Sequence, residues 1–456
     1  MGSRNIISAS LFLLAFFCAP VGAQDQEEWS IDACITYALE NNIELKREGL
    51  NTEIAKHDLN QSRLNALPDL NGQVNHDLGA GRILDRGTYE WLNTQVSQGD
   101  LGLASNLTLF SGLQGYNAMK KAAADYRASV SNLEVAEDNL VLNIMNAYLD
   151  VLLNQELYEI AHEKVRVAEL QVERMEQLVE VGNAASGELL QVKSTASTEK
   201  YQMTLAKNRL NFSKLELAQR MNLPVDASFE INKPEIQDPS ELQVPNLDDV
   251  YHKAAEILPH INVAEFNITS SEKSLAVARG ALSPELFVRA LYYSTYSDKL
   301  INPREIDPAN PVLEYPVPQQ VFDNQYRQLT VGVNIPIFNK WQNRTNISKA
   351  KIGLMDAQLR LENTRQQLYK DIQKYHSELL GALDNYRSAS ESHANNQEAY
   401  RYAEERFRVG MATALELEEA RNKLFEAQAE MVASKYRFVF YEKILDFYRG
   451  EDVNFN

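Results

Sequence analysis

The 456-residue chain has only two cysteines, Cys18 and Cys34, which excludes a disulfide-framed scaffold. Positive charge is outnumbered: 45 Lys and Arg stand against 63 Asp and Glu, a formal charge of −18, which argues against a nucleic-acid partner. Beyond the N-terminus no apolar run is long enough to cross a membrane as a helix. There is no His-Glu-x-x-His, no P-loop, no Gly-x-Ser-x-Gly and no cysteine pair, and the seven histidines are scattered without ligand spacing. The sequence therefore reads as a non-enzyme with no cofactor and no metal. Its many acidic residues read as the solvated faces of helices.

Proline is absent between Phe110 and Gly182, and a helical pattern runs through that stretch unbroken. Roughly seventy residues at 1.5 Å rise make a rod of about 100 Å, which cannot fold back into a compact globule. The rod is fed by an alternating segment, Leu101-Gly-Leu-Ala-Ser-Asn-Leu-Thr-Leu-Phe110, that turns at Ser111-Gly112. The arrangement recurs where Leu329–Phe338 feeds a run from Asn339 to Val409-Gly410. Phe110 and Phe338 are 228 positions apart, and so are Gly182 and Gly410; a constant offset is the mark of an internal repeat.

Met1–Ala23 has the form of a secretory signal, with Arg4, the apolar core Ile6–Pro20 and a small-residue site at Val21-Gly22-Ala23. Phe16-Phe17 before Cys18 makes a poor lipobox, so lipidation is not expected. The expected organisation is a signal peptide at 1–23, a first repeat at 24–221, a linker at 222–246, a second repeat at 247–448 and a tail at 449–456. Ser30 opens a first helix expected to run to about Ala66, before Pro68; the second copy starts at Asn246 and stops before Pro284, 216 positions on in both cases. The linker, with Pro224, Pro234, Pro239 and Pro245, is expected to form a belt half way up the rods.

Each copy carries two segments of period-two alternation, and each runs about ten residues, the length that crosses a bilayer when tilted. In the first, Leu70, Gly72, Val74, His76 and Leu78 oppose Asp69, Asn71, Gln73, Asn75 and Asp77. In the fourth, Leu329, Val331, Val333, Ile335 and Ile337 oppose Thr330, Gly332 and Asn334. The third, Glu285–Tyr296, places Arg289 on a face with Phe287 and Leu291. Phe110, Phe338 and Trp341 sit where one interface would lie, and Tyr89, Trp91, Tyr292, Tyr293 and Tyr296 towards the other. A small soluble sheet capping the helices is the competing reading. The connections 80–99 and 298–327 read as irregular loops on one side, and the turns after the rods as tips on the other. Those turns carry Val181-Gly182 and Val409-Gly410-Met411, with Ser186 and Thr413 as the next N-caps. Spacings of three and four, as in Val165, Ala168, Val172 and Met175 or Leu417, Ala420, Leu424 and Ala427, predict coiled-coil packing of each hairpin.

Four bilayer-length strands cannot close a barrel alone, and an open edge in lipid is not tolerated; the chain must oligomerise through its strands. At this point it resembles the outer-membrane efflux proteins, the TolC-like channel-tunnels. The resemblance rests on Leu67-Pro68, on Leu-Phe-Ser-Gly at 109–112 and on Arg406-Phe-Arg-Val-Gly-Met-Ala-Thr-Ala-Leu-Glu-Leu-Glu-Glu-Ala420. It implies a mainly α protein with a small β part. In this fold a homotrimer closes one transmembrane barrel in outer-membrane lipid and one periplasmic α-barrel. It also implies a periplasmic adaptor, an inner-membrane RND, ABC or MFS transporter, and a bacterial outer-membrane location. By the same resemblance Glu416 and Glu419, with Glu188 and Gln191 in the first copy, form the entrance constriction, where clustered carboxylates would raise some pKa values. Residues Val181, Gly182, Val409, Gly410 and Met411 would dock the adaptor. The chain departs from relatives at Phe407 and Ala412, where some carry a tyrosine and an arginine that tie the hairpins, with Arg408 as a substitute. A non-channel periplasmic adaptor or scaffold is the alternative, but it would lack two copies of a strand pair.

Overall fold

The computed structural model describes residues 29–84, 90–224, 229–234, 236–239, 244–300, 302 and 315–451. The expected leader with Cys18, Tyr89 and parts of the linker, of both strand-to-strand connections and of the tail lie outside the described residues.

The helices α1 (Ile31–Asn41) and α2 (Ile43–Leu64) replace the single helix expected over 31–66, and α5 (Leu247–Ile257) and α6 (Pro259–Gly280) replace its counterpart. The breaks fall at equivalent positions for different reasons. Asn42 turns extended (φ −61°, ψ 127°) and its side chain accepts the N–H groups of Glu44 and Leu45, a cap that starts a new helix. Leu258 precedes Pro259, which excludes the helical region for it. The Asn42 amide also donates to the Arg220 carbonyl at 3.2 Å, seating α2 on the end of α4 (Ser186–Arg220).

The two rods are α3 (Gln114–Glu180) and α8 (Gln342–Arg408), 67 residues each, so each spans about 100 Å. Each folds back as a 35-residue partner, α4 and α9 (Ala414–Tyr448). Val165, Ala168 and Met175 are buried with Ala196 and Leu210, flanked by Lys193–Glu176 and Lys200–Glu169 pairs at 2.8 Å. At mid-height the core is thickest: Ile144, Met145, Tyr148 and Leu152 pack with Cys34, Leu217, Val250, Ile372, Phe438 and Leu445. Burial pushes the Cys34 thiol up to about 12. There the Trp29 and Ile231 strands bridge, and the Tyr148 hydroxyl donates to the Asn232 carbonyl at 2.6 Å.

One antiparallel sheet in the order β1-β2-β3-β4 caps the rods. It contains β1 (Asn71–Leu84), β2 (Trp91–Ser111), β3 (Glu285–Ser297) and β4 (Tyr326–Asn334). The hairpin of β1 and β2 stays paired out to Leu84–Trp91, so most of the connection expected at 80–99 is strand. The strand expected over 329–338 ends at Asn334, because Pro336 has no N–H for the ladder. The connection 298–327 is not wholly irregular: it contains a short helix, α7 (Val317–Asp323).

Candidate functional site

The register sorts the sheet into two faces. Pairings Val74–Leu101–Ser294, Gly72–Leu103–Tyr292 and Leu107–Val288–Val331 place the apolar residues together. On that face Leu70, Val74, Leu78, Leu329, Val331 and Val333 are between 59% and 80% exposed, a patch that requires an apolar environment. Phe338 and Trp341 are exposed at its lower margin. The other face is polar and cross-linked. Asp100 accepts from Asn75 at 3.1 Å and from Gln73 at 3.3 Å. Arg289 donates to Asn106 at 2.8 Å, and Asn106 donates onward to Asp69. Arg289 therefore belongs to the polar face, which explains its mixing with Phe287 and Leu291. Tyr293 also lies on this face, 5.1 Å from Tyr326, whereas Tyr292 and Tyr296 lie on the apolar one. A hollow of about 440 Å³ opens among Gln73, Asp100, Tyr293 and Thr295.

The opposite end of the molecule is two helical turns built alike. Gly182 and Gly410 adopt φ of +75° and +77°, and the N–H of the following residue reaches back to Leu178 and Arg406 at 2.8 Å in both. That is the left-handed glycine closure of a helix end. Val181, Gly182, Val409, Gly410 and Met411 are exposed. The next helices differ. Thr413 caps α9 in a reciprocal box, its N–H donating to the Glu416 carboxylate at 2.7 Å while Glu416 N–H donates to Thr413 Oγ1 at 3.2 Å. The bond from the Thr413 backbone holds the Glu416 carboxyl below its ordinary range. In α4 the N-cap is Ala185, not the expected Ser186, and no side chain caps it. Glu416 and Glu419 are exposed on one hairpin, Glu188 and Gln191 on the other.

Between the hairpins runs a seam that sequence reasoning missed. The Arg174 guanidinium of α3 lies 5.1 Å from the Phe407 ring of α8, and Lys164 of α3 lies 5.6 Å from Phe425 of α9. Arg421, 3% exposed, pairs with Glu418 one turn before it, and its buried Nη1 has no hydrogen-bond partner among the described residues. Burial raises the Glu418 carboxyl above its ordinary range, Arg421 opposing and Glu199 adding to the shift. Arg408 does not cross the seam; it pairs with Glu405 of its own helix at 2.5 Å. Phe407 is thus tied to the first hairpin through Arg174. The box was legible as Thr-x-x-Glu ahead of a helix; the seam had no local signal, because its partners are more than two hundred residues apart.

Among the described residues no helix is long and apolar enough to cross a membrane, and no group of three or more His, Cys, Asp or Glu could hold a metal ion.

Comparison with known proteins agrees with this architecture. The family model described as outer membrane efflux protein matches residues 34–223 and 250–441. The pyoverdine export outer membrane protein OpmQ of Pseudomonas putida is 24% identical over 358 residues, covering 76% of this chain and 68% of that protein. Outer membrane efflux protein BepC of Brucella suis is 21% identical over 414 residues, covering 90% and 83%. The outer membrane protein VceC of Vibrio cholerae superposes with a TM-score of 0.75 at 16% identity over 93% of this chain and 97% of that one. The CmeC outer membrane channel of Campylobacter jejuni gives 0.74 at 17% identity, covering 99% and 96%.

Proposed function

The chain belongs to the outer membrane efflux protein family, and on that footing we propose that it is the exit duct of a tripartite efflux or type I secretion system. It resides in the outer membrane and extends into the periplasm, and it works with an inner-membrane transporter and an adaptor. It conducts passively: the polar sheet face lines a water-filled lumen and the apolar face meets lipid. Two repeats, 24–221 and 247–448, joined by the linker 222–246, build the wall. Three copies close the barrel and the tunnel. The transporter is of the RND, ABC or MFS class, and the adaptor docks at the exposed tips Val181-Gly182 and Val409-Gly410-Met411. The carboxylates of Glu416, Glu419 and Glu188, with Gln191, ring the entrance and favour cations there.

The observation that carries this reading is the two-faced sheet continuous with rods of about 100 Å. A lipid-facing belt and a polar lining on the same strands serve no purpose in a soluble adaptor. Membrane fractionation tests it. The mature protein should partition with the outer membrane and migrate as a heat-modifiable oligomer. A soluble periplasmic monomer would favour the adaptor or scaffold reading.

A further inference from the structure

The described part of the β3–β4 connection does not stand clear of the sheet. It folds back over the apolar face. Ser294, which pairs with Leu101 on that face, is fully buried, and its hydroxyl donates to the Val321 carbonyl of α7 at 2.7 Å. Gln320, 3% exposed, accepts the Ser297 N–H at 2.8 Å and donates to the Tyr315 carbonyl at 2.6 Å. The Asn324 amide donates to the Thr295 carbonyl at 2.9 Å. Three of these hydrogen bonds strap a seven-residue helix to the outside of the sheet, and the fourth, from Gln320 to Tyr315, closes the segment on itself. Beneath it lies a cavity of about 400 Å³ lined by His76, Ser97 and Tyr296 from the same face and by Gln320 from the helix. Its polar sides are thereby satisfied inward, and Val317 borders the same cavity, while Phe322 is 72% exposed. That is the reverse of what a loop surrounded by water requires.

The height of α7 identifies what surrounds it. From Glu285, at the helical end of β3, to Ser294 is nine steps of about 3.3 Å, or about 21 Å along the membrane normal at a tilt of ~45°. The apolar band of an outer-membrane barrel is about 25 Å tall. Phe322 therefore sits towards the outer margin of that band, near the level of Val74, which is in register with Ser294 through Leu101. Aromatic side chains at this level partition between acyl chains and headgroups.

We propose that α7 is a membrane-interface anchor that packs Phe322 against outer-leaflet lipid and sets the depth of the barrel. The proposal rests on the duct reading, and its test separates the two. Spin labels would be placed at Phe322→Cys or Val331→Cys, in a Cys18→Ser background; Cys34 is buried with its thiol pushed up to about 12 and will not label. Both sites are exposed, so neither change disturbs packing. In phosphatidylethanolamine–phosphatidylglycerol vesicles, power saturation compares collisions with oxygen, which concentrates in lipid, and with a water-soluble nickel chelate. Position 331 should be oxygen-dominated and deep, and position 322 oxygen-dominated but shallower. Nickel-dominated relaxation at 322 with oxygen dominance at 331 overturns the anchor alone. Nickel dominance at 331 overturns the duct reading with it.

Discussion

At the scale of residues, Glu416 is drawn in two directions. Its carboxylate accepts the Thr413 N–H at 2.7 Å, which lowers its pKa, whereas a ring of like charges from three chains would raise it. Glutamine at the same position keeps an acceptor for the box and loses only the charge. Glu416→Gln with Glu419→Gln should therefore leave melting temperature and assembly intact but weaken cation selectivity and multivalent-cation block in single-channel recordings. Thr413→Ala should do the converse, costing about 1 kcal/mol of helix stability with selectivity retained. If the double variant keeps its selectivity, these carboxylates face away from the pore. Asp138 on α3 offers a pH test. Burial, reinforced by Glu137 and Glu134, pushes its carboxyl up to about 6. A raised acid pKa means that the folded state holds the proton longer, so stability is full below the unfolded value near 4 and falls as pH rises through about 6. Asp138→Asn should then raise the melting temperature near neutral pH, with the gain vanishing below about pH 4.

At the scale of elements, much was legible because two copies report on each other. The constant offset of 228 marks both turns in the sequence, and the left-handed glycines fall there with φ of +75° and +77°. Where an element depends on one side chain or on distant pairing, the sequence was silent. The Asn42 break comes from a cap in mid-helix; its counterpart at Leu258-Pro259 carries a proline signal that the expected unbroken helix ran through. Gly79, Ala80 and Gly81 interrupt the alternation of β1, yet the ladder continues to Leu84 because Trp91–Gln98 pairs with it. The turns and the seam each carry a prediction. Met411 is 71% exposed, so Met411→Glu should leave the tip folded and the oligomer assembled while abolishing export in a cell-based efflux assay. Surviving export with adaptor crosslinking intact places docking elsewhere. The Arg174–Phe407 contact, worth about 0.5–2 kcal/mol, should hold the hairpins together. Phe407→Leu keeps the bulk and removes the ring's negative face, and Arg174→Gln removes the cation. Either should raise the resting conductance of single channels, and Phe407→Tyr should not. Unchanged conductance in both would leave the Lys164–Phe425 contact between α3 and α9 as the tie.

At the scale of the whole molecule, unpaired backbone at the sheet edges is what favours oligomerisation. The strand order β1-β2-β3-β4 leaves one edge of β1 and one of β4 without a partner among the described residues. Each backbone group bared to hydrocarbon costs several kcal/mol, and nothing at that depth but another strand can satisfy it. The chain cannot join β4 to its own β1, because a four-stranded ring is far below the ~8 strands of the smallest barrels. In the proposed duct, successive copies pair β4 to β1 until the ring closes. Three copies give twelve strands and match the rods beneath, since each chain then supplies two long helices and two stacked pairs to the wall. Cysteine pairs test both the edge and the number. Val331→Cys on β4, combined in turn with Val74→Cys or Leu78→Cys on β1 in a Cys18→Ser background, should be bridged by a short bifunctional thiol reagent only between chains. Denaturing gels should show a ladder that stops at the covalent trimer, and negative-stain images should show tubes of about 100 Å. A fast-migrating internally bridged monomer would mean that the chain satisfies its own edges. A ladder running past three would reject the trimer while keeping strand-to-strand closure.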